Sequence, residues 1–322
     1  ILAANLLLAL VGVQYVGRVW MDEIQDRVRL SLNSAEVALE NDGLQNLHFL
    51  EAAALDAALA EAVAQRVDKA VERTMERVYA AKRLDFMTLL DRDGTVQYRP
   101  ANPDCRDDDL ASISLVRKAM EGDSAESGTI VVTAEQLERE SPELAARARF
   151  RLLPTPAAKQ TEDKKRTNGM LMASVAPIVD DTRTTVGYLF GGHLLNRRND
   201  VVDRIKEQVF SGETFEDEDV GTVTIFQEDL RIATNVLDDD GLRAVGTRLS
   251  SPVYEQVLQK GRVWAAPAFV VNEWYITAYG PIRDPDEKVI GALYVGLRRA
   301  PFVHRRNAIT TAFLAAVLIS TT

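Results

Sequence analysis

Two segments, NGMLMASVAPIVDDTRTTVGYLFGG (Asn168–Gly192) and NEWYITAYGPIRDPDEKVIGALYVG (Asn272–Gly296), lie 104 residues apart and decide how this chain is read. Seven of their 25 aligned positions are identical: Asn168/Asn272, Pro177/Pro281, Ile178/Ile282, Asp180/Asp284, Gly187/Gly291, Leu189/Leu293 and Gly192/Gly296. Others are conservative, among them Met172/Ile276, Val186/Ile290 and Phe190/Tyr294. Each copy spells a strand rich in aromatic or β-branched residues, a short polar turn and a second strand. Shared prolines suit strand ends, where a missing donor costs nothing, and shared glycines suit bulges or close backbone approach.

Upstream, both copies open alike. Phe86–Leu90, Asp91-Arg92-Asp93-Gly94 and Thr95–Tyr98 predict one hairpin; Val223–Phe226, Gln227-Glu228-Asp229 and Leu230–Thr234 predict another. A short helix ending in glycine follows each, Ser112–Gly122 and Ser250–Gly261. These glycines are 139 residues apart rather than 104, so the first copy carries an insertion of about 35 residues. Ala134–Phe150, helical in character, and the polar run Pro154–Asn168 fill it. Each unit is therefore an antiparallel sheet with a helix on one face, an α+β architecture. Asn199–Phe210 reads as a linker helix between the units. Glu213, Glu216, Asp217, Glu218 and Asp219 then form a solvated acidic connection.

Preceding the repeat, Met21–Arg83 has no proline and one glycine, Gly43. Ile24, Val28, Leu32, Ala35 and Leu39, then Leu47, Leu50, Leu55, Leu59, Val63, Val67, Val71, Met75 and Val78, lay an apolar stripe on a long helix. Asn41-Asp42-Gly43 is a candidate kink. Such a stalk serves as a backbone for stacked domains or as half of a homodimeric coiled coil; two ordinary bundle helices are the plainer reading. Ile1–Trp20 has one charge, Arg18, and the length of a membrane span, with a cleaved signal peptide as the alternative. Ala308–Ile319 is apolar except for Thr310 and Thr311 and reads as a second span cut short, or as a buried helix. The lipid bilayer is thus an expected partner.

Composition excludes much. Net charge is −10 over 322 residues, which argues against a nucleic-acid partner. With 46% hydrophobic residues the chain can build real cores. One cysteine, Cys105, and three scattered histidines, His48, His193 and His304, leave no disulfide framework and no expected metal centre or cofactor. Asp91-x-Asp93-Gly94 places its glycine too early for a calcium loop and favours a turn; Asp107-Asp108-Asp109 and Asp238-Asp239-Asp240 also read as turns. No catalytic motif is present, so an enzyme is not expected.

The pattern resembles the double Cache sensor region of bacterial transmembrane receptors. The resemblance rests most on Asp229–Asn235, Val245–Arg248, Trp274–Ile282 and Val289–Gly296. It implies a long N-terminal helix and two tandem PAS-like antiparallel-sheet domains between two transmembrane helices. On it the chain divides into a membrane helix (1–20), a stalk (21–83), a membrane-distal domain (84–195, insertion about 130–167), a linker (196–219), a membrane-proximal domain (220–299) and the start of a second membrane helix (304–322). It also implies an extracytoplasmic ligand-sensing role in a bacterial plasma-membrane receptor of histidine-kinase or chemoreceptor type, with a small-molecule ligand. The proximal candidates are Arg231, Trp264, Tyr275, Thr277 and Tyr279, a set suited to a carboxylate because arginine offers a bidentate fork. Core packing of the aromatics with Arg231 at the surface is the competing reading. The distal candidates are Tyr98, Arg99, Arg117, Ser174 and Tyr188, and the resemblance favours this membrane-distal unit as the ligand site. A membrane-anchored enzyme and a partner-binding ectodomain without a small ligand are the alternative functions.

Overall fold

In a computed structural model of the chain, the backbone is described for residues 2–81 and 83–320, and side chains for these except 2–13, 15, 16, 305, 313, 314 and 316–320. Chain order begins with helices α1 (Leu2–Ala54), α2 (Ala57–Ala64) and α3 (Asp68–Tyr79). Of the expected stripe, Ile24, Val28, Leu32, Ala35, Leu39, Leu50, Leu59, Val71 and Met75 lie inside, but Leu55 and Val67, where the helix breaks, are exposed. The expected kink at Asn41-Asp42-Gly43 does not occur. Gly43 instead lets α1 lie close to the first sheet, where Ser127 Oγ donates 3.1 Å to the Gly43 carbonyl. The breaks fall later. Asp56 caps α2 by accepting from the Ala58 and Leu59 amides at 3.0 and 3.2 Å. Arg66, at φ 56°, separates α2 from α3.

Next come β1 (Phe86–Leu90), β2 (Val96–Tyr98), α4 (Ser114–Gly122), β3 (Glu126–Val132), α5 (Ala134–Glu140), α6 (Pro142–Ala148), the short pair β4 (Phe150–Arg151) and β5 (Lys165–Arg166), β6 (Gly169–Val179) and β7 (Thr185–Leu194). Helix α7 (Asn199–Phe210) leads through the small hairpin β8 (Thr214–Phe215) and β9 (Glu218–Asp219) to β10 (Gly221–Gln227) and β11 (Leu230–Thr234). Helix α8 (Ser251–Val253) runs into a π-helical turn, Tyr254–Gln259, before β12 (Trp264–Val270), β13 (Glu273–Arg283), β14 (Val289–Arg298) and α9 (Ala300–Ser320). The acidic connection is exposed as expected, and three of its side chains make surface ion pairs: Glu213 with Arg27, Glu218 with Arg298 and Asp219 with Lys206.

The two main sheets share one strand order, β2-β1-β7-β6-β3 and β11-β10-β14-β13-β12, antiparallel throughout. The repeated segments form the β6–β7 and β13–β14 hairpins, and each has its register shift at the same place, after Ile178 and after Ile282. The shared aspartates explain themselves. Asp180 Oδ1 accepts the amides of Thr182 and Thr184, both at 2.9 Å; Asp284 Oδ1 accepts those of Asp286 and Lys288 at 3.0 and 2.9 Å. Asp91 and Asp238 make the same turn with amides two and four residues ahead. The Asp91 carboxylate therefore holds a hairpin turn.

Alternation sorts each strand's residues onto two faces. In the second sheet Val223, Ile225, Ile276, Ala278, Leu293, Val295 and Leu297 pack on the α1 stripe together with α7. In the first sheet Met87, Leu89, Ala176, Ile178 and Leu189 face the end of α1, α2 and α3, while Phe86, Leu171, Val175 and Phe190 lie beneath α4, α5 and α6. Both sheets thus lean on one helical spine. Among the described residues no helix is long and apolar enough to cross a membrane. Most side chains of the membrane segments expected at 1–20 and 304–322 lie outside the described residues.

Candidate functional site

The far face of the second sheet has a different chemistry. Thr222, Thr224 and Phe226 of β10, Arg231 and Thr234 of β11, Tyr275, Thr277 and Tyr279 of β13, and Tyr294 of β14 all point away from α1 and are all buried. A cover of residues 236–259, with Val236, Leu249, Val253 and Val257, closes over them. Tyr279 and Tyr294 are cross-strand partners with ring centroids 4.8 Å apart, and Phe226 lies 6.3 Å from Tyr279. Tyr294 Oη meets Thr222 Oγ1 at 3.1 Å.

Arg231 stands in the middle of this aromatic wall. It is 4% exposed, its guanidinium lies 5.3 Å from the Phe226 ring centroid, and Tyr275, Tyr279 and Tyr294 are its electrostatic neighbours. Its Nε and Nη1 are buried with no hydrogen-bond partner among the described residues. No carboxylate is among the groups that influence its charge, and burial pulls its pKa below the ordinary arginine value. Burial in turn pushes the Tyr275 and Tyr279 hydroxyls up to about 12 and raises Tyr294 well above the ordinary tyrosine value, so all three stay neutral. The Trp264 indole Nε1, on the neighbouring strand, is also buried with no partner among the described residues. A buried cation with two vacant donors is costly to keep, and the group that would satisfy it is an anion.

Of the five residues expected at the second sheet, Arg231, Tyr275 and Tyr279 share this face, and Trp264 pairs with Tyr279 across β12 and β13. Thr277 lies on the same face, but its hydroxyl is already committed, donating 2.7 Å to the Ala266 carbonyl. Phe226 and Tyr294 complete the wall and were not among the expected residues. Their signal was available in the hairpin register, which sets position 294 opposite 279.

The five residues expected at the first sheet are not brought together. Tyr98 faces α3, where its hydroxyl donates to Glu76 at 3.2 Å. Ser174 faces α1 through Ser127 and the Gly43 carbonyl. Tyr188 lies on the opposite face and donates to Asp123 at 3.3 Å. Arg117, at the surface, donates to both carboxylate oxygens of Asp286 at 2.8 Å. Arg99 is the inverse of Arg231: equally buried, but fully engaged by Asp108 at 2.7 and 2.8 Å, Glu140 at 2.9 Å and the Cys105 carbonyl at 2.9 Å. Burial works against the ionised form of Asp108, yet Arg99 and Arg139 hold its carboxyl down at about 2. Among the described residues no group of three or more His, Cys, Asp and Glu side chains is placed to hold a metal ion.

Residues 193–309 match the family model described as single Cache domain 3. No curated protein matches the chain. Among solved structures, the periplasmic domain of Vibrio cholerae LuxQ is 12% identical, with 84% of this chain and 99% of that one covered at a TM-score of 0.47. The ligand-binding domain of the Pseudomonas fluorescens chemoreceptor CtaA, in complex with L-isoleucine, is 12% identical over 86% of this chain and 94% of that one, at 0.44. The sensor domain of the V. cholerae histidine kinase DctB is 12% identical over 87% and 98%, at 0.42. The resemblance read from the sequence is supported where a family model tests it: residues 193–309, the stretch that contains Arg231 and its tyrosines, match a Cache domain model.

Proposed function

We propose that the chain is the extracytoplasmic ligand-sensing region of a transmembrane signalling receptor, and that it binds a small carboxylate on the far face of the second sheet. The observation that carries this reading is the buried, unpaired Arg231 within the family-matched segment. Its Nε and Nη1 offer charge-assisted bonds to a carboxylate, the neutral tyrosines add donors, and Phe226 supplies an apolar wall. Among the described residues the acidic neighbours of this wall are Glu273 and Glu218, which act on Tyr275 rather than on Arg231.

On this proposal the chain divides at the boundaries drawn from the sequence, with a membrane-distal domain at 84–195 and a membrane-proximal domain at 220–299. Two membrane crossings are supported by the apolar runs at 1–20 and 308–319. They are supported further by the pairing of the helices that bear those runs, since Trp20 packs edge-on against Phe302 at 6.4 Å and Gly17 lies beside Arg306. Ligand binding relays to the membrane because α1 underlies the second sheet directly: Gln25 Nε2 donates 3.0 Å to the Thr277 carbonyl on the strand that bears Tyr275 and Tyr279. The size of that relay is limited to the ligand's differential affinity for the two states. A homodimer forms along the solvent side of α1, where Leu30, Val37 and Leu44 recur every seven residues and are 67%, 55% and 45% exposed.

Isothermal titration of the chain with acetate, propionate, succinate and L-alanine tests the ligand. A heat signal for the carboxylates that is absent in Arg231→Met supports the reading, and binding that survives that substitution overturns it.

A further inference from the structure

The cover over Arg231 is itself held down by the first sheet's insertion. Residues 246–249 of the cover lie alongside β11: the Arg231 amide donates to the Thr247 carbonyl at 2.9 Å, Gly246 donates to the Arg231 carbonyl at 3.0 Å and Leu249 to the Asp229 carbonyl at 2.9 Å. On the outer edge of this strip lies residues 153–159, the stretch between β4 and β5. Leu153 donates its amide to the Gly246 carbonyl at 2.9 Å, Ser251 donates to Ala157 at 2.8 Å, and the Arg248 amide donates to Thr155 Oγ1 at 3.1 Å. Arg248 fastens both layers. Its Nε reaches the Asp229 carboxylate at 2.7 Å, in a pair 10% and 6% exposed, and its Nη1 reaches the Lys159 carbonyl at 2.7 Å. Lys159 then lies 5.3 Å over the ring of Tyr254, in the π-helical turn.

Gly246 makes this crossing possible. Its φ of +90° suits glycine, and a Cβ there would meet the Arg151 carbonyl oxygen at 2.8 Å and the Leu153 side chain at 3.3 Å. A cleft of about 400 Å³ opens beside the crossing, lined by Lys159 of this stretch, by Gln160 and Thr161 just after it, and from the second sheet's side by Asp229, Arg248 and Tyr254. The two ends of the strap are joined to each other by the β4–β5 pairing, Phe150 with Arg166 and Arg151 with Lys165.

We propose that residues 153–159 are a strap that latches the cover of the Arg231 site, so that the first sheet's insertion sets how fast that site opens. This rests on the reading of Arg231 as the ligand anchor. Because Arg231 is enclosed, a ligand passes only when the cover lifts, and the cover lifts only when its bonds to the strap break. The strap contacts the cover and not Arg231, so it controls the rates of binding and release more than the affinity.

The test replaces residues 153–160 of the full chain with a Gly-Ser stretch of equal length and follows amide hydrogen exchange. Exchange across 244–259 should accelerate by about tenfold or more, as loss of several backbone hydrogen bonds from a locally opening segment requires, while 134–148 stay unchanged. Unchanged exchange across 244–259 overturns the strap. Should the replacement also loosen 134–148, Thr155→Val decides, because it removes the acceptor of the Arg248 amide and otherwise only the bond within the strap from Thr155 Oγ1 to the Leu153 carbonyl: faster exchange at Arg248 and Ser251 supports the strap and unchanged exchange refutes it. Stopped-flow fluorescence with acetate separates the two claims. Association and dissociation that speed up together support the strap further. Acetate that binds neither protein, with cover exchange still accelerated, leaves the strap standing and removes the carboxylate reading.

Discussion

Replacing Arg231 by methionine should make the unliganded protein more stable. The guanidinium is enclosed with Nε and Nη1 unpaired among the described residues, beside the Phe226 ring at 5.3 Å and three neutral tyrosines. An uncompensated buried charge costs several kcal/mol after relaxation, against about 1–2 kcal/mol returned by a desolvated cation–π contact. Methionine keeps the unbranched stem and fills irregular space, so the net gain should be about 1–3 kcal/mol. At roughly 2–4 °C per kcal/mol for a domain of this size, thermal unfolding by circular dichroism resolves it easily. The same substitution should abolish stabilisation by acetate, which in the wild type reaches about 2.7 kcal/mol at a hundredfold excess over Kd. Arg231→Lys, which keeps the charge without the fork, should show neither the gain nor full binding. An Arg231→Met protein that is less stable without ligand, or one that acetate still stabilises, would refute the reasoning.

Removing a satisfied arginine should do the opposite: Arg99→Met leaves Glu140 buried with the Thr88 hydroxyl but without its cation, and should cost about 3–5 kcal/mol in urea unfolding. Asp108 has a folded-state pKa of about 2, below its unfolded value, so its contribution is complete above about pH 4 and is lost as pH falls toward 2; the stability gap between wild type and Asp108→Asn should close over that window in acid titrations. Glu140, raised by burial, titrates with the opposite sign and shallows the wild-type slope. Asp284→Ala, which frees two turn amides, should cost about 1–2 kcal/mol, whereas Arg117→Ala, at an exposed pair, should cost under about 1 kcal/mol; urea midpoints that reverse this order would contradict the turn's role. Val37→Lys should leave the fold intact and shift sedimentation from dimer to monomer, and a wild type monomeric at every concentration would dispose of the proposed α1 interface.

The hairpins were legible because their signals are local: period-two alternation, and an aspartate whose carboxylate organises the turn two and four residues on. The apolar stripe on α1 was legible for the same reason. What the sequence did not disclose depends on distant contacts. Gly43 looks like a helix breaker until Ser127 and Met172 are seen pressing on it, and Arg66 takes a left-handed conformation no pattern announces. Arg99 and Arg231 are indistinguishable as letters in strand-like contexts. Their difference lies in whether Asp108 and Glu140 arrive from elsewhere in the chain, as they do for Arg99 and not for Arg231. The insertion was visible as extra length, but its attachment to the cover of the second sheet joins residues some 90 apart in sequence and left no periodicity to read.

A crystal of the full chain grown with acetate tests the central claim most directly. The account predicts electron density for a carboxylate within hydrogen-bond distance of Arg231 Nε and Nη1, walled by Phe226, Tyr279 and Tyr294. Density for the anion under α4 of the first sheet, with the Arg231 guanidinium still unpaired, would contradict it.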